Sequence, residues 1–518
     1  MVWDINAPYK AESKKIVWEV APYLRGRGLD IGAGDFKILP HAISVDNMNH
    51  EQFGFSVKPD ILVESAEKLD VFGSQTMDFV YSSHTLEHIS NYEGALREWW
   101  RLVKQGGYLI LYLPDEDQYP KVGQPGANPD HKWDVSYGKV IAAMNGVAGN
   151  WDLIDYQKRS QDDEYSLFFV FKKISKSKPA HSWMDPKPEK TACVVRYGAF
   201  GDLMQSSSVW ASLKAQGYHV TVFSSEPGAD VIKHDPHIDN LVLFDKDQVP
   251  NANLPDFWGY QKKKFTKFVN LSESVEGTLL SMPGRTLHYF PPKLRHELMN
   301  HNYLELQHKI AGVPFALLSK FYATPEEKQW ARKELDRAGK GPVILWSLAG
   351  SSVHKTWPGL DSVIAALLLK YPEARIVLVG GPECVILEQG WEKESRVWLR
   401  SGKWTIRQSL AFAQVATLVI GPETGVLNAV AFEAVKKIVF LSHSTVTNLT
   451  RDWTNCVSLF SENTKCNGRG DNEAPACHQL HYGWDFCTRD PETHCAQCQA
   501  DISTDAVWSA VQDALEAP

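Results

Sequence analysis

Short apolar runs alternate with amphipathic stretches along the whole chain of 518 residues. Apolar runs bounded by turn residues predict buried strands, and the longer amphipathic stretches between them predict helices. The clearest predicted strands lie at residues 42–46, 219–223, 241–244, 343–348, 375–381 and 416–420, and the clearest helices at 325–338 and 504–517. Strands that alternate with helices predict an α/β chain with parallel, doubly wound sheets throughout.

Changes in composition divide this pattern into three segments. The stretch 172–190 is rich in Lys, Ser and Pro and lacks periodicity, which predicts an exposed linker. The charged helix at 325–338 and the turn Gly-Lys-Gly-Pro after it mark a second boundary. We therefore predict a first domain at 1–174, a linker at 175–190, and two further lobes at 191–325 and 326–518.

Charge and hydropathy exclude some classes of protein. The net charge of −8 gives no global basic field, so we expect no avid non-specific binding to nucleic acid. The N-terminal residues lack the basic and apolar regions of a secretory signal, and no apolar run has the length of a membrane-spanning helix. The expectation is a cytoplasmic globular protein.

Two glycine turns in the second and third segments suggest binding of an anionic ligand. The sequence Val-Val-Arg-Tyr-Gly-Ala-Phe-Gly-Asp, which ends at Asp202, is a strand, a turn and a helix start. Gly-Pro-Glu-Thr-Gly, which ends at Gly425, repeats this order. Glycine allows close approach of the backbone to a ligand, and the helix N-terminus favours phosphate. Asp202 could take a proton from an acceptor hydroxyl, or it could only cap its helix.

The third segment adds groups that suit a diphosphate. Residues 347–358 form a strand end with Ser351 and Ser352, followed by Lys355, and hydroxyl and ammonium groups match phosphate charge. Together with the two glycine turns, this combination resembles glycosyltransferase family 9, the heptosyltransferase-like enzymes, over about residues 191–515. The resemblance implies two Rossmann-like lobes of the GT-B type, an inverting reaction without a metal, and a nucleotide-diphosphate sugar as donor.

The resemblance also implies roles for single residues. Asp202 would be the catalytic base, and eight residues would bind the nucleotide sugar: Gly201, Ser351, Ser352, Lys355, Glu423, Thr424, Gly425 and Asn428. Family members most often carry Asp and His where this chain has Glu423 and Asn428. Both remain hydrogen-bonding residues, so the departure concerns the preference for the donor sugar or nucleotide.

The first segment carries a different glycine turn. Gly-Leu-Asp-Ile-Gly-Ala-Gly is followed by a strand that ends in Asp46, and an acid at that position can bind ribose hydroxyls. With the later sequences Leu-Glu-His-Ile and Gln-Gly-Gly-Tyr-Leu-Ile, the order resembles class I S-adenosylmethionine-dependent methyltransferases over about residues 25–115. The implied cofactor-binding residues are Asp30, Gly32 and Gly34 at the methionine moiety, Asp46 at the ribose, Ser65 and Ala66 at the adenine, and His84 at the mouth of the transfer site.

Two departures leave alternatives open for this first segment. The third glycine of the family motif is Phe36 here, and the acid usual at the adenine position is Ser65. The alternatives to a working methyltransferase with S-adenosylmethionine as cofactor are a non-catalytic scaffold domain and a dinucleotide-dependent redox domain.

Six of the eight cysteines lie within residues 456–498, interleaved with histidines. A structural zinc site is one interpretation, with Cys477, His481, Cys495 and Cys498 as its ligands. The other is that these cysteines are free or packing thiols. Cys193 and Cys384 lie in or near predicted strands, where small buried thiols are ordinary.

The acceptor that the family resemblance favours is lipopolysaccharide core or another surface glycan, and a lipid-linked acceptor would bring peripheral contact with a membrane. One alternative is sugar modification of another polymer, such as the hydroxylated bases of phage-type DNA. Another is a binding or scaffold protein in which one or both sites are inert. A basic groove built from Lys262, Lys263, Lys264, Lys267 and Arg295 would favour a polyanionic acceptor.

Overall fold

A computed structural model describes residues 3–6, 11–47, 57–245, 247–272, 291, 294, 300–350, 355–442, 444–461 and 488–516. The chain forms two compact units. Unit 1 comprises Met1–Glu189 and Leu243–Lys264, and unit 2 comprises Lys190–Val242 and Phe265–Pro518. Unit 2 therefore contains most of both predicted lobes, and the boundary near residue 325 stays a prediction.

The described helices are α1 Ser13–Val20, α2 Tyr92–Leu102, α3 Tyr137–Val147, α4 Phe200–Ala215, α5 Glu226–Ile232, α6 Leu254–Lys262, α7 Tyr303–Ala311, α8 Pro325–Ala338, α9 Leu360–Lys370, α10 Ile406–Ala413, α11 Gly425–Ala429, α12 Gln497–Ala500 and α13 Thr504–Glu516.

Unit 1 is built on one seven-stranded sheet in the order β3-β2-β1-β4-β5-β7-β6. Its strands are β1 Gly28–Ile31, β2 Ile43–Asp46, β3 Ile61–Leu62, β4 Met77–Ser83, β5 Val103–Pro114, β6 Trp151–Arg159 and β7 Ser166–Lys173. The first five strands pair in parallel, and β1 is fully buried between β2 and β4. The carboxyl ends of β1, β2 and β4 therefore lie at one edge, where ligands bind in open α/β sheets.

The prediction of parallel sheets throughout is wrong at the other edge of unit 1. Strand β7 pairs antiparallel with both β5 and β6. Residues 160–165 between β6 and β7 are too few for a crossover, since parallel neighbours need a connection of about a dozen or more residues. A short connection of this kind forces the chain to turn back on itself.

Unit 1 also includes a helix from far along the chain. Helix α6 packs on α1, where Trp18 meets Phe257 edge-to-face and the Trp18 carbonyl accepts a 2.8 Å hydrogen bond from Gln261. Glu19 of α1 bonds to Tyr260 and Lys264. Burial alone would raise the pKa of Glu19, but Lys264 and Tyr260 outweigh it and the pKa is lowered. The sequence had placed residues 243–264 in the second segment, and Lys264 in a basic groove.

Part of the predicted linker is ordered against unit 1. Ala180 forms a bridge with Asp152 of β6, and the Ser182 hydroxyl donates a 2.6 Å hydrogen bond to the same aspartate. A single turn of 3₁₀ helix follows at Ser182–Met184. The exposed, unstructured part of the stretch is thus shorter than its composition predicts.

Unit 2 contains two separate sheets. The first has the order β10-β9-β8-β11, with β8 Thr191–Val195, β9 His219–Ser224, β10 Asn240–Leu243 and β11 Lys267–Asn270. The second has the order β14-β13-β12-β15-β16-β17, with β12 Val343–Ser347, β13 Arg375–Val379, β14 Val397–Leu399, β15 Leu418–Pro422, β16 Lys436–Phe440 and β17 Cys456–Leu459. All pairs of the second sheet are parallel. The prediction of an α/β fold with a Rossmann-like first domain and two further α/β lobes is confirmed.

The two halves of unit 2 share a core, and a buried arginine joins them. Arg407 of α10 is 4% exposed and bonds to Glu327 of α8 at 2.6 Å and to the Asp230 carbonyl at 2.8 Å. Thr324 caps α8 by accepting a hydrogen bond from the Glu327 backbone, which fits the predicted start of that helix. Cys193 and Cys384 are buried, as predicted. Within the described residues, no helix is both long and apolar enough to cross a membrane.

Candidate active sites

The turn that joins β8 to α4 fixes the carboxylate of Asp202 with two contacts. Its Oδ1 lies 3.0 Å from Nη2 of the buried Arg196, and its Oδ2 accepts a 2.8 Å hydrogen bond from the Ala199 backbone. Gly198 has φ +135°, and a Cβ there would lie 2.5 Å from Asp202 Oδ2. The Asp202 side chain keeps 36% of its surface exposed. Asp202 is thus a helix cap and, because each carboxylate oxygen has a further lone pair, also an available proton acceptor.

The two glycine turns of unit 2 meet at the N-termini of α4 and α11. A Cβ on Gly425 would lie 2.6 Å from the Cβ of Phe200, and a Cβ on Gly201 would lie 3.0 Å from Asn428 Nδ2. Gln205 donates a 2.9 Å hydrogen bond to Asn428 Oδ1, and Asn428 Nδ2 donates to the Thr424 carbonyl at 2.8 Å. Glycine at 425 is therefore required by the close packing of one turn on the other, and a side chain at 201 would push the Asn428 amide out of its present position.

Lys355 lies beside the second glycine turn. Its side chain is 5% exposed, and Nζ donates a 3.3 Å hydrogen bond to the Glu423 carbonyl. Burial lowers the pKa of Lys355, while the carboxylates of Glu423 and Asp202 counter that effect. Asp202 from the first glycine turn and Glu423 from the second therefore both act on one buried ammonium.

The carboxylate of Glu423 points into the protein. Its Oε1 accepts hydrogen bonds from the backbone and the hydroxyl of Ser442, which follows β16. The neighbouring Thr424 shares a 3.2 Å hydrogen bond with Ser347 at the end of β12. The carboxyl ends of β12, β15 and β16 thus converge on residues 423–425.

Three residues of this site were missed by sequence reasoning: Arg196, Gln205 and Ser442. Arg196 is the Arg of the Arg-x-Gly-x-x-Gly-Asp motif, so its place in the motif was a usable signal. Gln205 lies three residues after Asp202 along α4, which places both on neighbouring helix positions. Nothing in the sequence around Ser442 indicates its contact with Glu423.

The glycine turn of unit 1 is held by two acids. Asp30, at 1% exposure, accepts a 2.7 Å hydrogen bond from the Ile38 backbone, and Asp46 Oδ2 accepts one of 3.1 Å from the Gly34 backbone. Burial raises the pKa of Asp30 to about 7, and the carboxylates of Asp46 and Asp60 add to the rise while the Ile38 amide and Lys37 oppose it. Gly32 has φ +75°, and a Cβ there would lie 1.9 Å from the Thr85 hydroxyl. Strands β1, β2 and β4 therefore meet at this turn.

The remaining predicted cofactor residues lie at the carboxyl ends of neighbouring strands. Ser65 and Ala66 follow β3, where the Ser65 hydroxyl accepts from the Glu67 backbone and the Ala66 carbonyl accepts a 2.9 Å hydrogen bond from Trp99. His84 follows β4 with φ +46°, and its Nε2 lies 2.9 Å from the Ser166 hydroxyl. Burial lowers the pKa of His84 to about 3, so its ring is neutral at pH 7.

Other predicted residues lie partly outside the described part of the chain. Ser351 and Ser352 fall outside it, as do Cys477 and His481 of the zinc interpretation. Cys495 follows a short turn, and Cys498 lies in α12. Both are half-buried. The zinc interpretation stays a prediction.

Comparison with known proteins identifies the domain that carries the glycine turn of unit 1. Residues 28–111 match the family model described as a methyltransferase domain. Unit 1 therefore contains a region that is similar to methyltransferase domains. The sterol 4-C-methyltransferase strm-1 of Caenorhabditis elegans is 21% identical over 156 residues, which are 29% of this chain and 46% of that protein. The match spans less than half of the length of this curated relative.

Solved structures similar to the chain include glycosyltransferases. A family 9 glycosyltransferase from Veillonella parvula DSM 2008 is 16% identical, with a TM-score of 0.46, over 64% of this chain and 99% of its own. The ADP-heptose LPS heptosyltransferase II of E. coli is 13% identical, with a TM-score of 0.44, over 63% of this chain and 98% of its own. Both families that the motifs predicted are thus among the proteins to which this chain is similar.

Proposed function

We propose that unit 2 is an inverting glycosyltransferase that moves a sugar from a nucleotide-diphosphate donor to an acceptor hydroxyl. The observation that supports this most is the packing of the turn that carries Asp202 on the turn whose Glu423 carbonyl accepts a hydrogen bond from the buried Lys355. Asp202 and Lys355 come from different halves of unit 2. In this proposal, the packing of α4 on α11 is what brings the base and the cation to one site, and the contacts between the two glycine turns support it. A base and a buried cation are the two groups that such a transfer requires.

In this proposal, each group acts on a different part of the same step. Asp202 accepts the proton of the acceptor hydroxyl, and the oxygen forms a bond to the anomeric carbon of the donor. The bond from that carbon to the diphosphate breaks, and the electron pair leaves with the diphosphate oxygen. Lys355 stabilises the leaving charge. Attack on the face opposite the leaving group inverts the anomeric carbon.

Arg196 is proposed to orient the base. Its guanidinium contacts Asp202 Oδ1, and the Ala199 amide contacts Oδ2, so the carboxylate cannot rotate freely. A base that is already held in position loses little conformational entropy when it aligns with the acceptor hydroxyl. The acceptor class that the family resemblance favours remains a lipopolysaccharide or another surface glycan, with a lipid-linked acceptor as the route to membrane contact.

We further propose that unit 1 transfers a methyl group from S-adenosylmethionine. The residues at the carboxyl ends of β1 and β2 suit this cofactor, because the turn at Gly32 and Gly34 has left-handed backbone and Asp46 reaches it. Asp46 would hold the ribose, Ser65 and Ala66 the adenine, and the Gly32–Gly34 turn the methionine moiety. When bound, the cofactor supplies an electrophilic methyl group. The neutral His84 ring near this edge could hold an acceptor by a hydrogen bond.

A thermal-shift screen of the full chain tests both proposals. Nucleoside diphosphates, nucleotide sugars and S-adenosylhomocysteine would each be added separately, because a ligand that binds the folded state raises the melting point by mass action. The proposals expect a shift with at least one nucleoside diphosphate and a shift with S-adenosylhomocysteine. A chain that responds to neither class would be a scaffold with two inert sites.

A further inference from the structure

A buried carboxylate in unit 1 lies among three histidine rings without a hydrogen bond to any of them. Glu87 is 0% exposed, and neither of its carboxylate oxygens has a hydrogen-bond partner. The nearest ring nitrogens to Oε1 are His84 Nδ1 at 3.6 Å, His131 Nε2 at 3.9 Å and His88 Nε2 at 4.0 Å. A buried charge without a partner is costly, so this arrangement calls for a physical explanation.

The fold holds this cluster together from two elements that are distant in the sequence. Glu87 and His88 lie on the 3₁₀ turn Leu86–His88 directly after β4, and His131 lies in the loop after β5. The Glu87 carbonyl accepts a 2.8 Å hydrogen bond from the Lys132 backbone, and the Leu86 carbonyl accepts one of 3.0 Å from Trp133. Two bonds made by the residues directly after His131 thus hold this part of the loop beside Glu87, independently of the carboxylate.

The geometry suits a small cation. One ligand atom from each of Glu87, His88 and His131 lies within 4.8 Å of the others. Zinc binds His nitrogen and carboxylate oxygen at about 2.0–2.2 Å, so in a tetrahedral site the ligand atoms lie roughly 3.3 Å apart. The distances of 3.9 and 4.0 Å from the Glu87 oxygen therefore need to shorten by less than about 1 Å.

The chemistry of the three groups is equally suited to a metal. Burial raises the pKa of Glu87 to about 8, with Glu12 adding to the rise and the backbone amide of Glu87 opposing it. A bound cation would replace the lost hydration of this carboxylate. Burial lowers the pKa of His88, while the Asp130 backbone and carboxylate oppose that effect, so a neutral ring is favoured for binding a metal. The His88 ring is 34% exposed, which gives an ion access from solvent.

We propose that Glu87, His88 and His131 form a binding site for a divalent first-row transition-metal ion, with zinc as the reference ion. Two imidazoles and one carboxylate are ligands that zinc accepts in sites with an open fourth position. The site uses no cysteine and does not depend on either proposed transferase activity. It can therefore be tested with the metal ion alone.

The test compares metal binding by the full chain and three variants. Each protein is stripped with a chelator, and Zn²⁺ binding is then measured by equilibrium dialysis and elemental analysis. The variants are Glu87→Gln and His131→Asn, with His234→Asn as a control because His234 is exposed on unit 2. Circular dichroism and melting points without metal establish that each variant folds. Glu87→Gln is nearly isosteric, so its fold should persist.

Because the chain carries many cysteines, Co²⁺ serves as a second probe. Thiolate ligands give Co²⁺ an intense near-ultraviolet charge-transfer band, whereas imidazole and carboxylate ligands give only weaker visible bands. The proposal expects the wild type and His234→Asn to bind one ion without a thiolate band. Glu87→Gln and His131→Asn should bind that ion more than about 100-fold more weakly. Loss of a residue that merely hydrogen-bonds to a metal ligand already lowers metal affinity by about 10–100-fold. Equal binding by the wild type and Glu87→Gln, or thiolate-bound Co²⁺ alone, would overturn it.

Discussion

Gln205 donates a 2.9 Å hydrogen bond to Asn428 and so joins the helix that carries Asp202 to the turn that carries Glu423. The two residues are 223 positions apart. Gln205 follows Gly201 in α4 and Asn428 follows Gly425 in α11, and each of these glycines packs against the other helix. The bond therefore aligns the two halves of the proposed transfer site. Asn428 stands where similar enzymes most often have His, and in this chain it has a structural partner.

Asp202→Asn should separate catalysis from helix capping. Asparagine keeps an oxygen that can accept from the Ala199 backbone, but it cannot take the proton of an acceptor. General-base catalysis contributes about 10²–10⁴-fold, so turnover should fall on that order while donor affinity stays nearly unchanged. The measurement is release of nucleoside diphosphate in steady state. Asp505→Asn, in the first turn of α13, is the matched control. If Asp202→Asn turns over the donor at the wild-type rate, Asp202 only caps its helix and is not the catalytic base.

Gly425→Ala should disturb the contact between the two glycine turns. The added Cβ would lie 2.6 Å from the Cβ of Phe200, which is closer than carbon atoms pack. Overpacking of this kind costs about 1–3 kcal/mol, and unit 2 should unfold more easily by that amount. Gly259→Ala is the control, because a Cβ there has no neighbour within 4 Å and alanine favours the helix. Denaturant unfolding of both variants measures the difference. A Gly425→Ala protein as stable as the wild type would show that the turns can separate without cost.

Asp46→Ala should weaken the binding of S-adenosylhomocysteine to unit 1. Loss of the carboxylate leaves ribose hydroxyls without a partner, at a cost of about 1–3 kcal/mol in binding free energy. Asp70→Ala is the control, because the Asp70 side chain is 69% exposed. Calorimetric titration of the folded full chain gives both affinities. If the wild type shows no heat of binding, unit 1 is a scaffold and not a transferase.

Asp30 should make the stability of unit 1 depend on pH. Burial raises its folded-state pKa to about 7, well above the ordinary value of an aspartate, so between about pH 4 and pH 7 the folded state holds a proton that the unfolded chain releases. The associated stability is present below about pH 4 and is lost as the pH rises through 7. Asp30→Asn lacks this titration. Calorimetric melting between pH 5 and pH 9 should therefore show the variant gaining stability relative to the wild type as the pH rises, by up to a few kcal/mol. A difference that is constant with pH would contradict the burial of a protonated Asp30.

Local patterns predicted much of this architecture. The strand predicted at 219–223 is β9 with one further residue, and the helix predicted at 325–338 is α8, because capping and periodicity are local properties. The antiparallel β7 was missed because strand direction depends on which neighbour a strand finds. The attachment of α6 to unit 1 was missed for the same reason, since Glu19 and Lys264 are 245 residues apart.

Some residues of the candidate sites could be predicted from the sequence, and others could not. Asp202, Lys355 and Glu423 could be named because each lies in a short motif whose residue types suit phosphate or proton transfer. The cluster of Glu87, His88 and His131 could not be named, because His131 is more than 40 residues from the other two and tertiary contacts bring it beside them, among them the hydrogen bonds of Lys132 and Trp133. The sequence Leu-Glu-His-Ile supported the methyltransferase resemblance, but it did not indicate that its glutamate, Glu87, is buried.

The most direct test of the central proposal is calorimetric titration of the full chain with a panel of nucleoside diphosphates. Lys355→Ala is measured beside the wild type, with the exposed Lys328→Ala of α8 as control. A charge-assisted contact is worth about 1.5–3 kcal/mol, so Lys355→Ala should bind the preferred diphosphate roughly 10- to 150-fold more weakly, and Lys328→Ala should match the wild type. Equal affinity of Lys355→Ala and the wild type, or no binding of any nucleoside diphosphate by the folded chain, would contradict the assignment of unit 2 as a nucleotide-sugar transferase.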